Sequence, residues 1–219
     1  MVGLILAAHL VATAPTTQIA PGTYTYEAML AGAKVGTSTL TVKDLGGSIE
    51  IDEQASGAMS GSTATANSTL LLGADLAPVS YRLNATDDGS PLRDSATIDD
   101  TTADVTNVHG TKQSFDLPAS AKHFVVVDFG SFAGFLPLPA QMRAWDDAVV
   151  YAVVPSMGRT VTLTPQSSTS EDRPTDVPAG DASISFGGEA PFTVWYDPST
   201  NVPDEIDFTM QGLTVTRQR

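Results

Sequence analysis

The feature that most constrains this chain is a two-residue hydropathy rhythm that runs from Thr23 almost to the C-terminus. In "VSYRLNAT" (79–86), Val79, Tyr81, Leu83 and Ala85 share one face while Ser80, Arg82, Asn84 and Thr86 share the other. Successive side chains of an extended strand point to opposite sides, so such a segment has one buried face and one wet one. "TYTYEAML" repeats the pattern with Tyr24, Tyr26, Ala28 and Leu30. "TVTLT" (160–164), "SISF" (183–186), "FTVWY" (192–196) and "EIDFTMQGLTV" (205–215) carry it on with Thr, Val and aromatic residues that suit a pleated surface.

Turn chemistry falls between these runs: Asp44-Leu45-Gly46-Gly47, Asp87-Asp88-Gly89-Ser90-Pro91, His109-Gly110-Thr111 and Asp197-Pro198-Ser199-Thr200. Regular punctuation of this kind favours antiparallel hairpins over βαβ units, which need helical patterns between strands. One helix is expected at about 129–136, with Asp128 as its N-cap and Pro137 as its stop. "PQSSTSEDRPTDVPAGD" (165–181) reads as a long loop. The fold class is therefore mostly all-β: a strongly curved antiparallel sheet of about ten strands, a half-barrel or barrel, with one short helical plug. At 219 residues and 42% apolar content, the chain is long enough for one sizeable core, and residues 22–219 are expected to form a single domain.

Charge and cysteine usage exclude several partners. With 25 acidic against 11 basic residues, the net charge of −14 repels phosphate backbones and anionic lipid surfaces, so no nucleic acid is expected. The absence of cysteine removes disulfides, thiolate chemistry, Cys-ligated metals and a lipobox anchor. Residues 1–21 read as a signal-peptide-like or disordered segment. The apolar run Val2–Ala12 is followed by "ATA" at 12–14, in the manner of an h-region and a cleavage site, although the basic n-region is missing. The run is shorter than the roughly 20 residues that cross a bilayer, so no transmembrane segment is expected and the location is periplasmic or secreted.

The stretch "FVVVDFGSFAGFLPLPAQMRAW" (124–145) concentrates grease in an otherwise polar chain. Phe124 to Val127 are apolar at every position, which implies burial on both faces. Phe129, Phe132 and Leu136 follow at near-helical spacing, with Phe135 beside them. One reading is a plug that completes the core. The other is a plug and a curved sheet that leave an apolar cavity, where a lipid-like guest needs no polar motif to be held. The lining expected for that cavity is Phe129, Phe132, Phe135, Leu136, Tyr24, Tyr26, Tyr81 and Trp195. Trp195 has the opposite parity from Val194 and Tyr196, so an outer-face position is the alternative.

Catalytic and metal signatures are missing. After the N-terminal segment only His109 and His123 remain, 14 residues apart, with no ligand spacing. Ser131 in "FGSFAG" lacks a nucleophile elbow and reads as a helix-surface residue. "DPSTNVPDEID" (197–207) departs from a calcium loop at Val202 and Phe208, and reads as a hairpin turn. The pairs Asp87/Asp88, Asp99/Asp100 and Asp146/Asp147 are adjacent, so in a strand their members would point to opposite faces. No catalytic residue, metal or cofactor is expected, and the chain is read as a non-enzyme.

The order of segments "YTYEAMLAGAKVGTSTLTV" (24–42, with Val35-Gly36), "PVSYRL" (78–83), "VVVDFGSFAGFL" (125–136) and "FTVWYDPSTNVPDEIDF" (192–208) resembles a family of uncharacterised periplasmic β-proteins. That family is similar to lipoprotein-carrier-like half-barrels, in which a curved antiparallel sheet wraps a short helical plug around an apolar cavity. The resemblance spans most of residues 22–217 and implies no catalytic residues; the missing lipobox cysteine departs from a membrane-tethered lipoprotein. It implies a soluble exported protein that binds a hydrophobic small molecule or lipid. The alternative is an envelope interaction or scaffold module with a filled core and an envelope protein as partner.

Overall fold

The computed structural model describes residues 18–59, 61–128, 130–145, 147–167, 173–189 and 191–219. In chain order the strands are β1 (Gly22–Leu30), β2 (Ala33–Asp44), β3 (Ile49–Met59), β4 (Ser62–Leu72), β5 (Pro78–Asp87), β6 (Ser90–Ile98), β7 (Thr102–Thr106), β8 (Lys112–Asp116) and β9 (Phe124–Val126). Helix α1 (Leu138–Trp145) follows. The chain then forms β10 (Val150–Val154), β11 (Arg159–Ser167), β12 (Ala182–Gly187), β13 (Phe192–Asp197), β14 (Val202–Phe208) and β15 (Leu213–Gln218).

The 15 strands among the described residues belong to one unclosed sheet, ordered from β8 down to β1, then from β15 down to β9. Two meandering wings are thus joined by the β1–β15 ladder, in which Thr25 faces Gln218 and Leu30 faces Leu213. The sheet curls until its edge strand β9 lies against β5, and the 3-10 turn Pro155–Met157 that follows β10 lies against β6 and β7. That overlap explains why Phe124, Val125, Val126 and Val127 are all buried although β9 is an edge in the hydrogen-bonding order. The other edge, β8, carries exposed Lys112, Gln113 and Ser114, which discourage pairing with another chain.

The alternation read from the sequence sorts the two faces. Tyr26, Leu40, Ile51, Leu70, Tyr81, Leu83, Ile206 and Val215 pack inside, while Gln54, Asn67, Arg82 and Asn84 stand outside in water. Turn chemistry sets the register. Asp88 and Gly89 both have positive φ, as a two-residue hairpin turn requires, and the Asp88 carboxylate accepts the Thr63 amide hydrogen at 2.8 Å.

Three expectations are corrected. The helix occupies 138–145 rather than 129–136, because Pro137 and Pro139 lack N–H groups and suit a helix start, where those groups have no partner anyway. The first helical bond runs from Gln141 N–H to the Pro137 carbonyl at 2.9 Å, and the preceding segment is a chain of turns in which Ser131 N–H donates to Asp128 O and Phe135 N–H to Phe132 O. The sheet is not wholly antiparallel either: β9 and β10 run parallel, since the plug and α1 form the long crossover that parallel pairing needs. Finally, β11 extends through Ser167, with Pro165 paired to Phe186, so the loop is shorter than 165–181.

Candidate functional site

Where the plug crosses the sheet, one carboxylate holds it. Glu53, on β3 and 1% exposed, accepts hydrogen bonds from Ser38 Oγ (2.6 Å), Ser68 Oγ (3.0 Å) and Ser131 Oγ. It also accepts the backbone N–H groups of Phe132 (3.0 Å) and Ala133 (3.3 Å). Ser131, expected on a helix surface, is instead buried inside the barrel, because this carboxylate and Ser68 both meet its hydroxyl. A second polar contact lies alongside. Asp94 on β6 and Asp128 in the plug are buried together, and Tyr81 donates its hydroxyl hydrogen to Asp128 Oδ2 at 3.0 Å. Burial, reinforced by the Asp128 carboxyl, pushes Asp94 up to about 8. Burial raises Asp128 as well, against the hydrogen bonds it accepts from Ser156 and Tyr81.

Most of the expected lining residues gather at this plug, but they fill the interior rather than line a hollow. Phe135 meets Phe192 and Phe208 edge-to-face at 5.3 and 5.2 Å between centroids. The gap bounded by Tyr26, Leu40, Phe132, Leu136, Pro203 and Ile206 leaves no room for a water molecule. Tyr26, one of those lining it, spends its hydroxyl on the Pro203 carbonyl at 2.9 Å, and burial raises its pKa. Tyr24 sits nearer the mouth, donating to Ala20 O at 2.7 Å beneath the Arg217 guanidinium. Phe129 lies outside the described residues. Trp195 follows its parity onto the outer face, yet it is 2% exposed, because residues 173–181 fold over it and place the Arg173 guanidinium 5.0 Å from the ring centroid.

Open space appears instead at the end of the barrel that α1 caps. A pocket of about 470 Å³ lies between the segment Gln18–Pro21, the β2–β3 turn, the β4–β5 turn and the last residues of α1, Ala144 and Trp145. Ile19, Val42, Ile49 and Leu76 give it apolar walls, and Gln18, Asp44, Ser48 and Asp75 are its polar members. Its frame is well tied. Gln141 donates to Leu76 O at 2.9 Å and Trp145 Nε1 to Asp75 O at 2.8 Å, so α1 grips the β4–β5 turn. The segment at 18–20 is held by Asn201 Nδ2 on Gln18 O and by the Ala20 N–H on Thr200 O. Arg143 reaches from α1 to Pro198 O and Asn201 Oδ1.

Behind the pocket, His123 stacks on Trp145 at 4.2 Å and shares a 2.6 Å hydrogen bond with Asp147. Sequence spacing gave no hint of this, since the partners are 24 residues apart. Among the described residues no group of three or more His, Asp or Glu side chains is arranged to hold a metal ion, and no helix is long and apolar enough to cross a membrane.

No protein-family profile matches the chain, and no curated protein does. Among solved structures it is similar to a β-barrel-like protein of domain of unknown function DUF1849 from Brucella abortus, with a TM-score of 0.55 and 11% identity over 92% of this chain and 96% of that one. It is also similar to a DUF1089 family protein from Pseudomonas aeruginosa, with a TM-score of 0.46 and 10% identity over 80% of this chain and 90% of that one. The chain thus shares a β-barrel-like fold with a protein whose own role is unknown.

Proposed function

We propose that this chain is an exported, non-catalytic binding protein that takes a small molecule with an apolar body into the pocket at the α1 end of the barrel. The carrying observation is the pocket itself: its volume of about 470 Å³ falls within the roughly 300–1,000 Å³ usual for small-molecule sites, and its lining sets Ile19, Val42, Ile49 and Leu76 beside the polar Gln18, Asp44, Ser48 and Asp75, a mixed surface that suits a molecule with an apolar body and a polar head. The carboxylates Glu53 and Asp128 hold the plug, away from this space, which supports binding without chemistry. Export rests on the apolar run Val2–Ala12 followed by the small residues at 12–14, and the lack of cysteine leaves that form without a lipobox anchor. A periplasmic carrier related to the lipoprotein-carrier half-barrels is the form of this reading that the segment order suggests.

The test is native mass spectrometry of freshly purified protein, followed by titration with a fluorescent amphiphile. A retained or exchangeable small molecule is expected, with a change in Trp145 emission. A bare mass and no uptake would favour the second reading, an envelope interaction or scaffold module, which the packed Phe135–Phe192–Phe208 interior supports.

A further inference from the structure

We infer that the pocket at the α1 end selects cationic amphiphiles, molecules with an apolar body and an ammonium-type head, over anionic ones such as fatty acids. The inference rests on the binding function proposed above and adds the sign of the ligand's charge. Asp44 and Asp75 stand on the two turns that frame the pocket, and no Lys, Arg or His is among its lining residues. Each of these carboxylates uses one oxygen, Oδ1, to accept a hydrogen bond within its own turn, from Gly46 N–H and from Ala77 N–H respectively. Those bonds fix the carboxylates at the rim, and among the described residues no hydrogen bond engages either Oδ2, which faces the solvent or a guest.

The cations closest along the chain are engaged elsewhere. Lys43 is paired with Glu50 at 2.8 Å and with Asp52 at 2.5 Å on the outer face, while Arg143 is bonded to Pro198 O and Asn201 Oδ1. A carboxylate headgroup entering the pocket would meet two like charges, no cationic residue in the lining, and the field of a chain with a net charge of −14, while Lys122 and His123 on the far side of Asp75 and Trp145 are paired with Asp147. An ammonium head meets the opposite. The apolar tail gains the same burial in either case against Ile19, Val42, Ile49 and Leu76. Charge therefore decides between amphiphiles of equal chain length.

The experiment titrates the full chain, as a Trp195→Phe variant, with decyltrimethylammonium, decanoate and decyl maltoside below their micelle concentrations, reading Trp145 fluorescence and calorimetric heat. The ammonium compound is expected to bind about tenfold more tightly than decanoate, as two partly screened carboxylates would give. The double variant Asp44→Asn, Asp75→Asn removes most of that preference, and raising the salt from about 0.05 to about 0.5 M narrows it. Ala74→Trp fills the pocket from an exposed turn position, and Ala144→Trp does so from α1; either abolishes binding. Decanoate or the maltoside binding as tightly as the ammonium compound overturns the inference while leaving the binding function standing. Ammonium binding that survives both filling variants also overturns it, because the cation is then collected by the acidic surface. If no amphiphile binds at all, the binding function itself falls.

Discussion

The carboxylate of Glu53, in the middle of β3, accepts the hydroxyl hydrogen of Ser131, a residue 78 positions further along the chain and inside the barrel. Through that contact and the amide hydrogens of Phe132 and Ala133, one wall residue fixes the path of the whole plug. Substituting Glu53→Ala would strand several buried donors at once, so a loss of about 3–5 kcal/mol is expected. Ser131→Ala, which leaves the amide bonds in place, should cost only about 1 kcal/mol. Urea unfolding followed by circular dichroism measures both; equal, small losses would show that the plug is held by packing alone.

Stability should fall as the solution becomes alkaline. Asp94 is pushed up to about 8 by burial and by Asp128, and burial raises Asp128 too. In the unfolded chain both ionise near pH ~4. Between about pH 4 and 8 the folded protein keeps protons that the unfolded chain has released, so its stability is greatest at the acid end and is lost as pH rises through that window. Urea midpoints at pH 5 and pH 8 test this: the midpoint should be lower at pH 8, and Asp94→Asn should flatten the difference. A wild-type midpoint that climbs over the same interval contradicts the assignment.

Interior substitutions separate filling from lining. Phe135→Ala removes the ring wedged between Phe192 and Phe208 and is expected to cost about 3–5 kcal/mol. Gly134→Ala should also destabilise, since a Cβ there runs into the Val126 carbonyl where the plug passes β9. Neither change touches the pocket at the α1 end, so whatever folded protein remains should bind its ligand with unchanged affinity. Altered affinity without loss of stability would place the ligand at the plug instead.

The covering of Trp195 should depend on pH. One raised acid sits at the end of the segment 173–181 and another on β14 beneath it: burial and a hydrogen bond with Asp204 push Asp181 up to about 7, and burial together with Asp176 and Asp207 does the same for Glu205. Arg217 and Arg219 are paired with Asp204, and Arg173 lies over the Trp195 ring. Losing both protons sets like charges against each other across the contact. In a Trp145→Phe background, acrylamide quenching of Trp195 should therefore increase from pH 6 to pH 8, and Glu205→Gln should blunt the increase. Quenching that stays low at both values would show that Arg173 and packing suffice.

The strands were legible because parity is a local property. Tyr24, Tyr26, Tyr81 and Leu83 announced their faces, and the turns at Asp44–Gly47 and Asp87–Pro91 fell between strands as their chemistry demands. The plug was legible as grease, but its conformation was not: Pro137 and Pro139 are equally good at ending one helix and starting the next. Glu53 and Asp94 carry no local mark that sets them apart from other strand acids. Only the tertiary fold brings Ser131 and Asp128 to them, so no spacing could have marked them as buried. The pocket has no local signature for the same reason, since its walls come from four segments between Gln18 and Trp145.

The ladder between β1 and β15 joins two wings whose other pairings are all made within each wing. During translation, β1 waits for a neighbour that emerges 183 residues later, as the pairing of Leu30 with Leu213 requires. Closing so long a loop is slow, and the unmated edges of β1 and β14 stay open to other nascent chains until the final strand docks between them. A ribosome that stalls short of β15 would release two hinged sheets rather than a barrel.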